Sequence, residues 1–230
     1  METIMCGRFV STSTPDDLTQ FFDADPPDIE LADRYNIAPT APVYTIIDNN
    51  LSGREVQVMR WGLLPRWAKS QTGRPLFNAR GETIATNNAF ARSFQQRRCL
   101  IVADGFYEWT TNEDGTKQPH YIAHRDGDPL AFAGVWRTWR QPGTDTKLES
   151  CAIITCGPNQ IMAPIHDRMP AILAPSTWPE WFSSGTTTDD AAEMLEPAPD
   201  ELLTTHQVSP EANSAKNDKP ELIEPVSRGA

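Results

Sequence analysis

Apolar and polar positions alternate along the chain in short runs, and turn residues punctuate those runs. Six runs rich in β-branched and aromatic residues predict strands: Val43 to Ile47, Glu55 to Trp61, Arg98 to Trp109, His120 to His124, Leu130 to Trp136 and Glu149 to Thr155. Helical signals are fewer and shorter. Thr14 stands as a cap with Pro15 at the first helical position, which predicts a helix through Asp16 to Phe22. Further short helices are predicted over Thr83 to Arg92, Asn159 to Ala163, Thr177 to Phe182 and Thr188 to Leu195. The segment Ser209 to Asn217 reads as polar loop, whereas Leu222 to Val226 is apolar enough to dock back onto the body. With no repeat, no low-complexity tract and no enforced boundary, the pattern predicts one α+β domain that is mainly β.

Composition narrows this picture. A chain of 230 residues, 39% apolar and 22% charged, can bury a core without a disulfide or metal staple. No apolar run approaches the ~18 residues of a membrane span, and the N-terminus lacks the pattern of a signal peptide, so no membrane association and a cytoplasmic location are expected. Cys6, Cys99, Cys151 and Cys156 form no CxxC pair, and the spacing of the last two sends them to opposite faces of a strand. Neither a metal site, a disulfide framework nor a cofactor is expected.

The net charge of −11 is unevenly spread. Residues 60–100 carry eight basic groups and one acidic group, interleaved with Trp61, Trp67, Phe77, Phe90 and Phe94. Cations beside aromatic rings suit a nucleic-acid strand, where phosphates meet guanidinium groups and bases stack. A solvated face balanced by carboxylates elsewhere fits the same charges. Fifteen Arg against five Lys leans toward bidentate oxyanion recognition.

Five segments carry candidate chemistry. In Met5-Cys6-Gly7-Arg8-Phe9, a chain beginning at Cys6 would hold an α-amine and a thiol on neighbouring carbons. Such a group traps an aldehyde, first as a Schiff base and then as a thiazolidine; the other reading is a buried Cys in an opening strand. Glu108 stands between aromatics at the end of an apolar run, as a proton-shuttling carboxyl or as half of a buried ion pair. His166, Asp167 and Arg168 follow one another in a proline-bracketed loop, where His166 can donate a proton and Arg168 hold a phosphate, or where the His only satisfies a backbone carbonyl. Asn78 and Arg80 offer an amide for a sugar and a cation for a phosphate, and Trp67 is either a stacking wedge or packed. Trp61 and Cys99 read as core.

Together these segments resemble the SRAP (SOS response-associated peptidase) family of abasic site processing proteins. The resemblance runs through Met5 to Phe9, Arg34 to Thr40, Trp61 to Lys69, Phe77 to Ile84, Arg98 to Trp109, Phe132 to Trp136, Ile165 to Pro170 and Asn217 to Val226. It implies a single domain, spanning residues 6–227, in which antiparallel sheets form a pseudo-barrel with peripheral short helices. It further implies a monomer that binds single-stranded DNA and links its N-terminal cysteine covalently to the aldehyde of an abasic site. Carried over residue by residue, Cys6 is the nucleophile, Asn78 the sugar-contacting amide, Glu108 the acid/base carboxyl and His166 the proton donor. Arg8, Trp67, Arg80 and Arg168 are the implied DNA contacts. Weak lyase activity through the Schiff base, and peptidase-type release of the residues ahead of Cys6, are also implied.

Two departures stand out. Four residues precede Met5, so either the true start lies downstream or residues 1–5 form an extension that is cut away, and Gly81 stands where the family often has Ser. Two rival classes remain at this level: a cysteine hydrolase built on Cys6, His166 and Glu108, and a non-catalytic reader of single-stranded nucleic acid.

Overall fold

Helix α1 (Pro15–Phe22) forms where Thr14 and Pro15 predict it. Thr14 Oγ1 accepts from the Asp17 backbone N–H and the Asp17 carboxylate accepts from the Thr14 N–H, a reciprocal capping box. The structure, a computed structural model, describes residues 7–49, 53–73 and 75–226. Its strands are β1 (Phe9–Ser11), β2 (Ala24–Asp25), β3 (Arg34–Ile37), β4 (Pro42–Asp48), β5 (Arg54–Trp61), β6 (Asn78–Arg80), β7 (Arg98–Ala103), β8 (Gly105–Thr111), β9 (Lys117–His124), β10 (Leu130–Arg140), β11 (Lys147–Cys156), β12 (Met169–Pro170) and β13 (Leu203–Gln207). The remaining α-helices are α2 (Gly81–Ile84), α3 (Ala91–Gln96), α4 (Trp178–Phe182) and α5 (Thr188–Glu193). Short 3-10 helices lie at Pro175–Thr177, at Asp200–Leu202, at Pro210–Asn213, within the segment predicted as polar loop, and at Pro220–Ile223.

Two sheets result. One has the order β13-β9-β8-β1-β3, and the other runs β12-β11-β10-β7-β4-β5-β2. In the second, β5 pairs back onto β11, so that β11, β10, β7, β4 and β5 close into a five-stranded barrel. The closing pair is parallel, as is the pairing of β6 with β11, which makes the barrel mixed within the mainly β fold. Closure removes two sheet edges that would otherwise expose unpaired backbone.

The first sheet buries both of its faces. Phe9 and Phe106 join the main core with Trp61 and Phe132, while Val10 and Tyr107 join a second cluster under the C-terminal segment with Val208, Ala212 and Leu222. Leu222 is fully buried, so the apolar end does dock back. Alternation along β8 therefore turns Glu108 to the Phe106 side, toward the barrel.

Three elements differ from the pattern-based expectation. The run Arg98 to Trp109 is split at Asp104 into β7 and β8, which lie in different sheets. The Asp104 carboxylate collects the backbone N–H groups of Thr12 and Ser13 together with both their hydroxyls. At the next position the Tyr121 ring fills the place a Cβ would take, so only glycine fits. The predicted helix Thr83 to Arg92 is two short helices, because the Asn87 side chain accepts from the Ala89 N–H and forms a turn between them. Residues 160–165 form turns in place of the helix predicted over Asn159 to Ala163, since Pro164 has no N–H to continue a helical ladder.

Candidate functional site

Strand β11 organises the site. Its residues Ile153, Ile154 and Thr155 pair in parallel with Asn78, Ala79 and Arg80, and Thr155 pairs across its other edge with Pro170. Short-range alternation puts Asn78 and Arg80 on one face of β6 and the buried Ala79 on the other. Arg80 is exposed.

The loop before β12 is built by a chain of turns: Met162 N–H donates to Asn159 Oδ1 at 3.0 Å, and both Ile165 and His166 donate their N–H groups to Met162 O at 2.8 Å. His166 is buried. Its Nδ1 lies 3.0 Å from the Arg168 N–H, which donates to it, and 3.0 Å from Asp167 Oδ1. These contacts serve opposite states of Nδ1: the neutral ring takes the backbone donor, and the charged ring donates to the carboxylate. In both states Nε2 carries a proton. That Nε2 is buried and has no hydrogen-bond partner among the described residues.

Arg168 folds back over β11. Its two terminal nitrogens fork onto the Glu82 carboxylate, and Nη2 also donates to Thr155 O at 2.7 Å. The fork holds the Glu82 carboxyl below the usual range and raises the Arg168 guanidinium. Glu82 is the single acidic residue of the basic window, and that isolation is the sequence signal by which its partnership with an Arg could have been found. Beside the pair, burial pushes the Cys156 thiol up to about 12, so it stays protonated.

Glu108 lies on β8 and is 1% exposed. Phe9 pairs with Phe106, and Tyr107 N–H donates to Arg8 O at 3.0 Å, which lays the first described residues, Gly7 and Arg8, along the Glu108 strand. Cys6 lies outside the described residues. The two halves of the site are joined through aromatic packing: the Phe9 and Trp61 rings are 4.9 Å apart, and Trp61 Nε1 donates to the carbonyl of Phe77, the residue before Asn78.

Arg8 is committed to the scaffold. Its guanidinium donates to Asn36 Oδ1 at 2.9 Å and to the carbonyls of Ala212 and Asn213, and it lies 6.0 Å from the Trp109 ring. Buried Asn36 in turn donates to the carbonyls of Ala212, Ser214 and Asn217. The segment Arg34 to Thr40 and the closing segment from Asn217 are thus two sides of one clasp, a role that sequence reasoning did not assign.

Trp67 is 62% exposed at the tip of a braced loop. Gly62, at φ +125°, donates to Cys151 O at 2.8 Å, Leu64 N–H donates to Ser150 Oγ at 3.1 Å, and Trp139 Nε1 donates to Ala68 O at 2.9 Å. A rigid base with an exposed ring is a geometry for stacking. Among the described residues no group of three His, Cys, Asp or Glu side chains is placed to hold a metal, and no helix is long and apolar enough to cross a membrane.

Comparison with known proteins takes in most of the chain. The SOS response associated peptidase (SRAP) family model matches residues 5–215. The abasic site processing protein YoqW of Bacillus subtilis (strain 168) is 40% identical over 224 residues, covering 96% of this chain and 99% of that protein. The abasic site processing protein YedK of Escherichia coli (strain K12) is 33% identical over 229 residues, covering 96% of this chain and all of that protein. In fold, an X-ray crystal structure of a protein from Bacteroides thetaiotaomicron superposes with a TM-score of 0.85 at 23% identity, covering 96% of this chain and all of that one.

Proposed function

The chain belongs to the SRAP family, and on that footing we propose that it processes abasic sites in single-stranded DNA by covalent capture through Cys6. The observation that carries this reading is coverage: the similarity to proteins named for abasic site processing takes in 96% of the chain, and the family model spans residues 5–215, within which every proposed site residue falls. Residues 1–5 are, in this reading, absent from the active form, which exposes the Cys6 α-amine. Gly7, the residue that follows Cys6 in the sequence, lies beside the Glu108 strand.

The reaction has three parts. Proton donation from His166 Nε2 to the sugar ring oxygen breaks the bond between that oxygen and the anomeric carbon, the anomeric hydroxyl gives its proton to water, and the hemiacetal opens to the aldehyde. The Glu108 carboxylate takes a proton from the α-ammonium, and the free amine adds to the aldehyde carbon; loss of the former carbonyl oxygen as water leaves an imine. The Cys6 thiol then adds across the imine, its sulfur to carbon and its proton to nitrogen, closing the thiazolidine with no further loss of atoms. While the imine persists, loss of a proton from the sugar permits elimination of the 3′ phosphate, which is the lyase branch. Asn78 holds the sugar, Arg80 a phosphate and Trp67 a base. Arg8 and Arg168, whose guanidinium groups are engaged within the fold, act as positioning residues for Gly7 and the His166 loop.

Incubation with an oligonucleotide carrying one abasic site, followed by a denaturing gel, tests the reading. A shifted band that Cys6→Ala abolishes is expected. No adduct, with cleavage of an ester or amide substrate that needs Cys6, would replace it with a hydrolase. Binding that ignores Cys6 and yields no adduct would replace it with a simple reader.

A further inference from the structure

A second group of cations lies apart from the Asn78, Arg80 and His166 cluster. Arg66, Arg92, Arg97 and Arg137 line a concave cavity of ≈ 250 Å³ together with Ser93 and Gln96. Arg66, Arg92 and Arg97 are exposed, whereas Arg137 is 8% exposed. Neutral groups hold this arrangement in place. Arg97 sits over the Trp136 ring at 4.7 Å and donates to Thr138 Oγ1 at 3.2 Å, and Arg92 Nε reaches Gln96 Oε1 at 3.4 Å. Thr138 Oγ1 in turn reaches Glu149 Oε1 at 3.4 Å. Among the described residues none of the four arginines makes an ion pair.

Collecting four guanidinium groups in one concavity opposes folding unless an anion relieves it. Burial, and then the charges of Arg66, Arg92 and Arg97, lower the Arg137 guanidinium from its ordinary value. Arg66, Arg92 and Arg97 come from the basic window of residues 60–100, and Arg137 joins them from β10, within a chain of net charge −11. Planar guanidinium forks fit phosphodiester oxygens.

Its position in the fold names the occupant. Arg137 pairs with Ser150 of β11, and Ser150 Oγ anchors Leu64 at the base of the Trp67 loop, in which Arg66 neighbours Trp67. Arg80 pairs with Thr155 of the same strand, five residues and roughly 17 Å farther along β11. We propose that the arginine cavity is a second DNA-backbone site, taking phosphates of the strand that flanks the abasic nucleotide beyond Trp67. The inference deepens the capture reading and rests on it for the identity of the ligand.

Two single strands test it, about five and about fifteen nucleotides long, each with a tetrahydrofuran in place of the abasic sugar so that binding is read without the aldehyde. For the triple variant Arg66→Gln, Arg92→Gln, Arg97→Gln, the salt slope on the long strand should fall by about 2, with affinity lowered about tenfold or more. The short strand should bind as it does to the parent protein. Arg92→Glu alone, on the exposed face of α3, should move the long-strand slope in the same direction, with thermal melts unchanged for both proteins. Equal slopes for parent and triple variant would overturn the assignment. So would inorganic phosphate displacing the long strand more than chloride at equal ionic strength, since the cavity would then be a small-anion site. Adduct formation on a short aldehyde-bearing strand separates the two claims. Persisting adduct with unchanged long-strand slopes defeats only the cavity. A lowered slope without any adduct defeats only the capture reading.

Discussion

His166 gains its meaning from the atom left over rather than from its contacts. With Nδ1 served by either the Arg168 N–H or the Asp167 carboxylate, Nε2 is the donor in both charge states of the ring. His166→Ala should therefore slow adduct formation by about 10² while leaving DNA affinity near that of the parent, and Glu108→Gln should behave similarly. Rates measured beside thermal melts check this, and unchanged rates in folded variants would remove both residues from the mechanism. The Glu82 and Arg168 fork gives a pH signature. Its carboxyl pKa is depressed in the folded state, so its stabilisation is full above the unfolded carboxyl value of ~4.3 and is lost as pH falls through the lower folded value. At pH 7 Glu82→Gln should lower stability by no more than about 1 kcal/mol, since the carboxylate is half exposed, and the difference from the parent should vanish in acid. A denaturation series from pH 7 downward measures it; a gap that persists at the acid end contradicts the pairing.

Strands were more legible than their breaks. Alternation found β4, β5, β10 and β11 to within a few residues, since each has a continuous apolar face to bury. It joined β7 to β8 because apolar runs flank Asp104-Gly105 on both sides; that dipeptide was the turn signal, and the contacts from Thr12 and Ser13 fix the Asp104 carboxylate as a corner. Trp67 could be read as exposed or packed until the bracing of its loop was seen. Two outcomes follow at this scale. Trp67→Ala should weaken single-strand binding by about 1 to 3 kcal/mol without changing the melting temperature, as the ring makes little core contact. Gly62→Ala should lower stability, because its φ of +125° disfavours a side chain and a Cβ would stand 2.7 Å from Pro75 Cβ. A Gly62→Ala protein with parental stability and parental DNA affinity would show that the loop is not braced as described.

At the scale of the molecule, the fold brings the first described residues and the C-terminal segment to one place. Residues near the start of the described chain, the Arg34 to Thr40 segment and the C-terminal segment meet at Asn36, whose side chain accepts from Arg8 and donates to three carbonyls. Sequence could mark these segments but could not pair them, since more than 170 positions separate Asn36 from its acceptors. Asn36→Ala would orphan several buried groups, with an expected loss of about 1 to 3 kcal/mol and earlier proteolysis of the C-terminal segment. The same convergence sets Gly7 beside the Glu108 strand, and the free α-amine of Cys6 is the feature on which the proposed chemistry depends. An amide nitrogen cannot form the imine, because its lone pair is delocalised into the peptide group. Intact mass spectrometry of the protein and of its adduct with an abasic oligonucleotide tests this most directly. The expected adduct is the mass of a chain beginning at Cys6 plus the oligonucleotide less one water. An adduct formed at full yield on a chain that still carries Met5, or one that retains the water, would contradict the aminothiol mechanism.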